Sequence, residues 1–418
     1  MKARLSLLAV AATLGVLVGV AGASAMTSTS VAKVTKAAKT PGVTKTTITI
    51  GATFPYSGVA SAYGVIGKAE TAYYKWVNAH GGVNHRKIKF ITLDDAYNPS
   101  QTVPLTKQLV EQDHVFAIVG SLGTEPTLSV RSYLNSHKVP QVLVATGASY
   151  WGDQYKQYPW TIGWQPNYVA EAYIYAKYIR DKQPNAKIAV LYQNDDYGKD
   201  YLRGFKQGLG NAQSRIVATQ GYQISEPSIA GEVARLRASG ANTFFIAATP
   251  SFTIQAIVIA NKLNWHPQIY LNNVSATNDL MAIAAKNSSE QAVEGIISTL
   301  YTQIPGYAKY ANTPGMKLYR KVFKRFNPGT RPNDAFNVYG MAVAWTAVYA
   351  LQHAGKNPTR AGLIRALTHL NTKKNPFLLP GMVMKTSSTD HFPLEQALLD
   401  KYTSGQFVPF GKLLTYKR

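Results

Sequence analysis

Two runs of alternating strands and helices predict an α/β protein of two doubly wound parallel-sheet lobes. Three observations carry that expectation. Short β-branched segments alternate with segments of helical period from residue 47 to 144, and again from 168 to 271 after a break at Gln165-Pro166-Asn167. Alternation of this kind specifies parallel sheets with helices on both faces. The 418-residue length exceeds what one hydrophobic core usually serves. No similar segment recurs at a spacing of about 20 to 50 residues, so a solenoid is excluded.

Residues 47–54 (TITIGATF) are β-branched and alternating, and read as the first strand. Residues 68–78 place Ala69, Ala72, Tyr73, Trp76 and Val77 at helical spacing, and Gly81-Gly82 stops that helix. A strand is expected at 88–93. A helix over 101–111 is entered through Asn98-Pro99-Ser100. A buried-type strand at 115–119, a helix at 127–137 and a strand at 141–144 finish the first run. In the second run, helix 168–181 precedes strand 187–192 and helix 199–209 precedes strand 215–222. Helix 229–238 then precedes strand 243–247, and helix 252–263 precedes strand 268–271. The apolar run 335–351 is interrupted by Asn337 and Thr346, and reads as a buried helix rather than a membrane span.

The N-terminus reads as an export signal. Lys2 and Arg4 precede an apolar stretch over 5–20, and Ala23-Ser24-Ala25 places small residues before a cut near Ala25. The stretch falls short of the roughly 20 residues that a span needs. Residues 26–45, rich in Thr, Ser, Ala, Lys and Val, read as a basic flexible tether. The protein is therefore expected to be exported, periplasmic or extracellular and associated with the cell envelope.

Composition excludes several classes. Apolar residues make up 46% and charged residues 16%, which is no disordered tail. Cysteine is absent, which excludes disulfide scaffolds, thiolate metal sites and cysteine nucleophiles. Lys and Arg number 44 against 21 Asp and Glu. These cations are spread along the chain without a DNA-binding motif, so nucleic acid is not expected as a partner. A basic exported protein would instead meet anionic envelope polymers electrostatically. Asp94-Asp95 reads as strand termination and turn capping rather than a metal site. No H-E-x-x-H, G-x-S-x-G, phosphate-loop or dinucleotide motif occurs, so no metal, no cofactor and no enzyme activity are expected.

In doubly wound folds, ligands sit beyond the carboxyl ends of the strands. The strand-to-helix turns here are 55–67, 94–100, 120–126, 145–151, 193–198, 248–251 and 272–277. They are rich in Gly, Ser, Thr, Asn and Tyr, which present N–H groups and hydroxyls to a small polar ligand.

At these turns the sequence resembles a family. The stretches are I-T-I-G-A-T-F-P-Y-S-G-V-A-S-A-Y-G (48–64), N-A-H-G-G-V-N-H-R-K-I (78–88), L-D-D-A-Y-N-P (93–99), V-G-S-L-G-T (119–124) and D-D-Y-G-K-D (195–200). In this order they resemble the type I periplasmic solute-binding proteins of ABC importers, of the branched-chain amino acid class. The resemblance covers roughly residues 47–414. It implies a three-segment hinge, with crossings near 164–167, 298–301 and 371–376. The implied lobes are 46–164 plus 300–372, and 165–299 plus 373–418.

It also implies the site. Thr124 would bind a ligand carboxylate, with Gly123 allowing close approach. Gly147 and Ser149 would contact the amino-acid head, Tyr63 and Tyr197 would line the side-chain pocket, and Thr249 would add a contact from the second lobe. Tyr150 adds aromatic surface beside Ser149. One departure stands out. Amino-acid receptors of this class place a glutamate for the α-ammonium in the turn that here reads Leu271-Asn272-Asn273-Val274, and the matching position is Asn273. Aromatic or short-chain acids and amides are therefore alternative ligands to a branched-chain amino acid. Thr124 also reads as the cap of the next helix, Ser149 as a loop serine, and the aromatics as core or rim residues.

The expected function is a monomeric, non-enzymatic receptor that closes on a small amino acid or carboxylate and delivers it to an ABC permease. A ligand-sensing receptor, an envelope adhesion protein and a cleft hydrolase are the other readings.

Overall fold

The computed structural model describes residues 40–416. The expected export signal lies outside the described residues, as does most of the tether. The first half of the fold is built on five parallel strands: β1 (Thr47–Phe54), β2 (Lys87–Asp94), β3 (Ala117–Val119), β4 (Gln141–Val144) and β5 (Thr161–Gly163). Their order is β2-β1-β3-β4-β5, with Ile50 of β1 opposite both Phe90 and Ala117. Helices α1 (Gly64–Ala79), α2 (Pro99–Lys107), α3 (Thr124–Ser136) and α4 (Tyr150–Asp153) connect them. Asn98 caps α2 by accepting from Ser100 N–H at 2.9 Å, as its sequence position requires.

The second half repeats this order. Strands β6 (Ile188–Gln193), β7 (Ile216–Tyr222), β8 (Thr243–Ala247), β9 (Gln268–Leu271) and β10 (Ile297–Leu300) alternate with α5 (Tyr168–Lys182), α6 (Asp196–Leu209), α7 (Ala230–Ala238), α8 (Pro250–Lys262), α9 (Asn278–Asn287) and α10 (Glu290–Val293). Helices α11 (Pro314–Phe326), α12 (Ala335–His353) and α13 (Arg360–Leu367) follow, with α11 and α12 packed on α1. A small pair, β11 (Asn371–Thr372) and β12 (Met384–Lys385), precedes the C-terminal hairpin β13 (Gln396–Thr403) and β14 (Gln406–Thr415). The seven-stranded sheet runs β14-β13-β10-β9-β8-β6-β7. The sheets are mainly parallel, as expected, and β13 and β14 add an antiparallel edge on β10. α12 is apolar all round and buried, as read from its sequence, and no described helix is long and apolar enough to cross a membrane.

The third crossing differs from the expected 371–376. Asn375 Nδ2 donates to the Ala342 carbonyl of α12 at 2.9 Å, and Thr386 Oγ1 to the Leu367 carbonyl of α13 at 2.6 Å. The Phe392 ring lies against Gly152 of α4. Residues 375–392 thus pack on the first half, and the chain passes to the second sheet only where β13 begins.

Candidate functional site

Both sheets share one topology, in which the first strand is flanked by the second and the third. The chain reverses winding between β1 and β3, and again between β6 and β8. The crevice beyond the carboxyl ends of such strands is where ligands bind. A cavity of about 70 Å³ lies there, lined by turns from both halves.

The first half contributes Tyr63, Tyr97, Leu122, Gly123 and Thr124. Gly123 stands at φ 102°, and a Cβ there would lie 2.7 Å from the Tyr97 ring. Only glycine lets the β3–α3 turn pass so near the tyrosine. Thr124 opens α3, with its hydroxyl 2.6 Å from that of Thr146. No side chain caps α3. Its first-turn N–H groups therefore lack intrahelical acceptors beside the cavity, at the positive end of the helix dipole.

The second half contributes Tyr197 after β6, Thr249 after β8, and Asn273, Val274 and Thr277 after β9. The Tyr197 hydroxyl lies 2.6 Å from the Asn272 amide, which fixes the phenol. Thr249 N–H donates to the Tyr222 hydroxyl at 3.1 Å. The Asn273 amide donates to the Thr299 carbonyl, and its backbone N–H donates to Glu171 Oε1 at 2.7 Å. The floor comes from the crossing segments and α12: Gln165, Tyr168, Tyr301, Phe336 and Tyr339. Tyr339 donates to Gln165 Oε1 at 2.7 Å, joining α12 to the first crossing.

Six of the nine expected residues, Tyr63, Gly123, Thr124, Tyr197, Thr249 and Asn273, thus meet at one cavity. Gly147, Ser149 and Tyr150 do not line it. A Cβ on Gly147 would lie 2.4 Å from the Pro166 carbonyl, so this glycine admits the first crossing segment. Ser149 is bonded to Asp200 and Arg203 of α6, and the Tyr150 carbonyl accepts from Arg131 at 2.8 Å. Ser149, expected at an amino-acid head, lies outside the cavity lining, with its hydroxyl bonded to Asp200 and Arg203.

Among the described residues, no Asp, Glu, Lys or Arg lines the cavity, whereas six tyrosines do. Burial pushes the Tyr63, Tyr97 and Tyr197 phenols well up, so they remain neutral hydroxyls. Asp195 caps α6 through Gly198 N–H at 3.1 Å. Burial, with help from nearby Glu125 and Asp196, raises its carboxyl to about 6. Asp94 and Asp95 hold backbone: Asp94 accepts from Tyr56 and Ala96 N–H, and Asp95 from Tyr97 N–H.

The sequence profile of the periplasmic binding protein family matches residues 47–403. The chain belongs to the periplasmic binding protein family. An "amino acid binding protein" of Pseudomonas aeruginosa is 24% identical over 318 residues, covering 75% of this chain and 81% of that protein. Among solved structures, a branched-chain amino acid ABC transporter protein of Thermus thermophilus with bound valine superposes with a TM-score of 0.79. It is 18% identical and covers 90% of this chain and 98% of that one. A fatty acid ABC transporter substrate-binding protein of Thermomonospora curvata gives a TM-score of 0.76 at 21% identity, covering 91% and 95%. This is a family of non-enzymatic, extracytoplasmic solute-binding proteins of ABC transporters. The type I fold read from the sequence is the fold observed.

Tyr97, Gln165, Tyr168, Tyr301, Phe336 and Tyr339 were not singled out from sequence. Tyr97 lies in the strand-to-helix turn 94–100, between β2 and α2. The others come from crossings and the α12 N-terminus, where no local pattern marks a ligand surface.

Proposed function

We propose that the protein is the receptor of an ABC importer for a short carboxylate of about the size of a branched-chain amino acid. Its two lobes close on the ligand by bending at the crossing segments, and the permease reads the closed form. The observation that carries this is the uncapped N-terminus of α3 at a cavity without charged side chains. A carboxylate can be held there by N–H groups and the Thr124 hydroxyl without a counter-cation. The small cavity fits the size limit. At about 70 Å³ the cavity is compact, which favours a short acid over a long acyl chain. Tyr63, Tyr97, Ile66 and Phe336 supply the apolar wall.

A second reading rests on Asn273. Its amide is engaged by Thr299, and no carboxylate reaches the cavity to meet an ammonium. This favours an acid without an amine. Calorimetric titration of the refolded full chain with valine, leucine, isovalerate and benzoate separates the two. Valine tighter than isovalerate supports the amino-acid receptor. Isovalerate or benzoate tighter than valine supports the deaminated class. No heat with any of the four rejects both.

A further inference from the structure

Outside the cavity, the two halves are joined by a polar cluster with a buried serine and aspartate and a half-exposed arginine. Ser149, just before α4, belongs to the first half, and Asp200 and Arg203 belong to α6 of the second. Ser149 N–H donates to Asp200 Oδ2 at 2.7 Å, and its hydroxyl to Oδ1 at 3.3 Å. Arg203 Nη2 donates to that hydroxyl at 2.8 Å and to Asp200 Oδ1 at 2.6 Å. Ser149 is 3% exposed and Asp200 7% exposed. The Ser149 side is rigid. Arg131 of α3 donates to the Tyr150 carbonyl at 2.8 Å and to Gln154 Oε1 at 2.6 Å, and stacks over the Tyr158 ring at 3.9 Å. The α6 side is rigid as well, because Gly204 packs against α5 with no room for a Cβ.

Other contacts also join the halves. Asp196 N–H donates to Glu125 Oε1 at 3.2 Å, Ser251 Oγ donates to the Val59 carbonyl at 2.9 Å, and the exposed Arg331 pairs with Asp279 at 3.1 Å. The Ser149 cluster differs in bringing both oxygens of one buried carboxylate to the N–H and hydroxyl of one buried serine, where such charge-assisted bonds are strong. None of these contacts needs a ligand atom.

We propose that Ser149, Asp200 and Arg203 form a clasp that holds the cleft closed and sets ligand affinity without touching the ligand. Arg203 and Asp200 are positioning residues: they act by raising the closed fraction, to which apparent affinity is proportional. The proposal rests on the reading that the halves open and close, but not on the identity of the ligand. It also explains why a serine in a loop that resembles a ligand-binding loop has left the cavity. Its hydroxyl is the shared acceptor and donor of the clasp.

The chain has no cysteine, so an introduced pair reports without interference. Ser57 and Ser228 are both exposed. Ser57 neighbours Val59 on the first rim, and Ser228 precedes Ile229, whose N–H meets Gln255 of α8 on the second. Spin labels on Ser57→Cys and Ser228→Cys, read by double electron–electron resonance on refolded protein without added ligand, measure the closed-to-open ratio. Arg203→Ala removes a half-exposed side chain and preserves the fold. Asp200→Asn keeps the shape and removes the charge. The expected result is a closed-to-open ratio about tenfold lower in each variant, with native circular dichroism. An unchanged ratio in both folded variants overturns the clasp, as does a wild type that sits wholly at the open distance. If the ratio falls as expected while valine, leucine, isovalerate and benzoate all give no heat, the clasp stands and the carboxylate reading fails.

Discussion

The backbone N–H of Asn273 donates to Glu171 Oε1 at 2.7 Å, so a carboxylate from α5 stands directly behind the turn that follows β9. Glu171 also accepts from the Tyr175 and Tyr201 hydroxyls, each at 2.8 Å. Burial raises its carboxyl, and these donors oppose the rise. The glutamate is therefore structural: it fixes the turn that carries Asn273 and the cavity edge. Glu171→Leu strands the Asn273 N–H and the Tyr201 hydroxyl, while the Tyr175 hydroxyl keeps Ser298 and Thr299, and is expected to destabilise by ~2 kcal/mol or more. Glu171→Gln keeps one acceptor and should cost about half that. Urea melts of the two variants check the ranking, and equal midpoints for wild type and Glu171→Leu would contradict this role.

Glu70 of α1 has the opposite surroundings. It is fully buried, and neither carboxyl oxygen accepts a hydrogen bond from another protein group. Burial pushes its carboxyl well up, so the folded chain keeps a proton that the unfolded chain has lost. The stability this confers is complete below the unfolded pKa of about 4.3 and is lost as pH rises towards the folded value. Asp195 and Asp334, both raised to about 6 by burial, act in the same direction between roughly pH 4 and 6. Glu70→Met should thus stabilise by ~1–3 kcal/mol at pH 7.5, and by less at pH 4.5. Thermal melts at the two pH values read the difference. A gap that does not widen with pH would show that Glu70 is not the group responsible.

How much of this was legible in the sequence depends on what each element exposes to the core. Strands at 141–144, 243–247 and 268–271 match β4, β8 and β9 residue for residue, because each is a short, largely buried and mostly apolar run between turn residues. Helix starts were read late: 127 for Thr124, 199 for Asp196 and 252 for Pro250. Apolar period marks only the packed face, while first turns carry polar residues for the cleft. The helix read over 101–111 contains a change of winding instead: α2, with Pro104 inside it, passes into a π turn at Gln108–Gln112. The hairpin β13–β14 had no signal in the alternation that revealed the parallel strands. At the cavity, residues in strand-to-helix turns were legible through topology. The bonding of Ser149 was not, because nothing local says that Asp200, 51 residues on, will take its hydroxyl.

The spacing Gly204-x-x-x-Gly208 on α6 yields a stability prediction. A Cβ at Gly204 would lie 2.2 Å from the Val169 carbonyl, and one at Gly208 2.6 Å from the Tyr173 carbonyl. Both obstacles are backbone atoms of α5, which side-chain rotation cannot relieve. Gly204→Ala should therefore force the helices apart and cost ~1–3 kcal/mol, despite the better helix propensity of alanine. The same shift moves Asp200 away from Ser149. Chemical denaturation would show the loss, and a Gly204→Ala variant more stable than wild type would mean that α5 and α6 do not pack this closely in solution.

Thr124 tests the cavity itself. Its hydroxyl shares a 2.6 Å bond with Thr146, and Thr146 Oγ1 accepts in turn from Ala148 N–H at 3.2 Å. The bound hydroxyl is thus held on the first residue of α3, beside the N–H groups assigned to the ligand carboxylate. Thr124→Val preserves shape and removes one donor. The helix remains uncapped in either form, so its stability should change little beyond the ~1 kcal/mol of one lost hydrogen bond. A charge-assisted bond to the ligand is worth more, about 1.5–3 kcal/mol, which converts to a roughly 10- to 150-fold weaker Kd. Thr124→Ser should restore most of that affinity. Calorimetry with the tightest of valine, leucine, isovalerate and benzoate measures both variants. Equal affinity in wild type and Thr124→Val would remove the carboxylate from the α3 N-terminus and require its placement against the tyrosines of the floor.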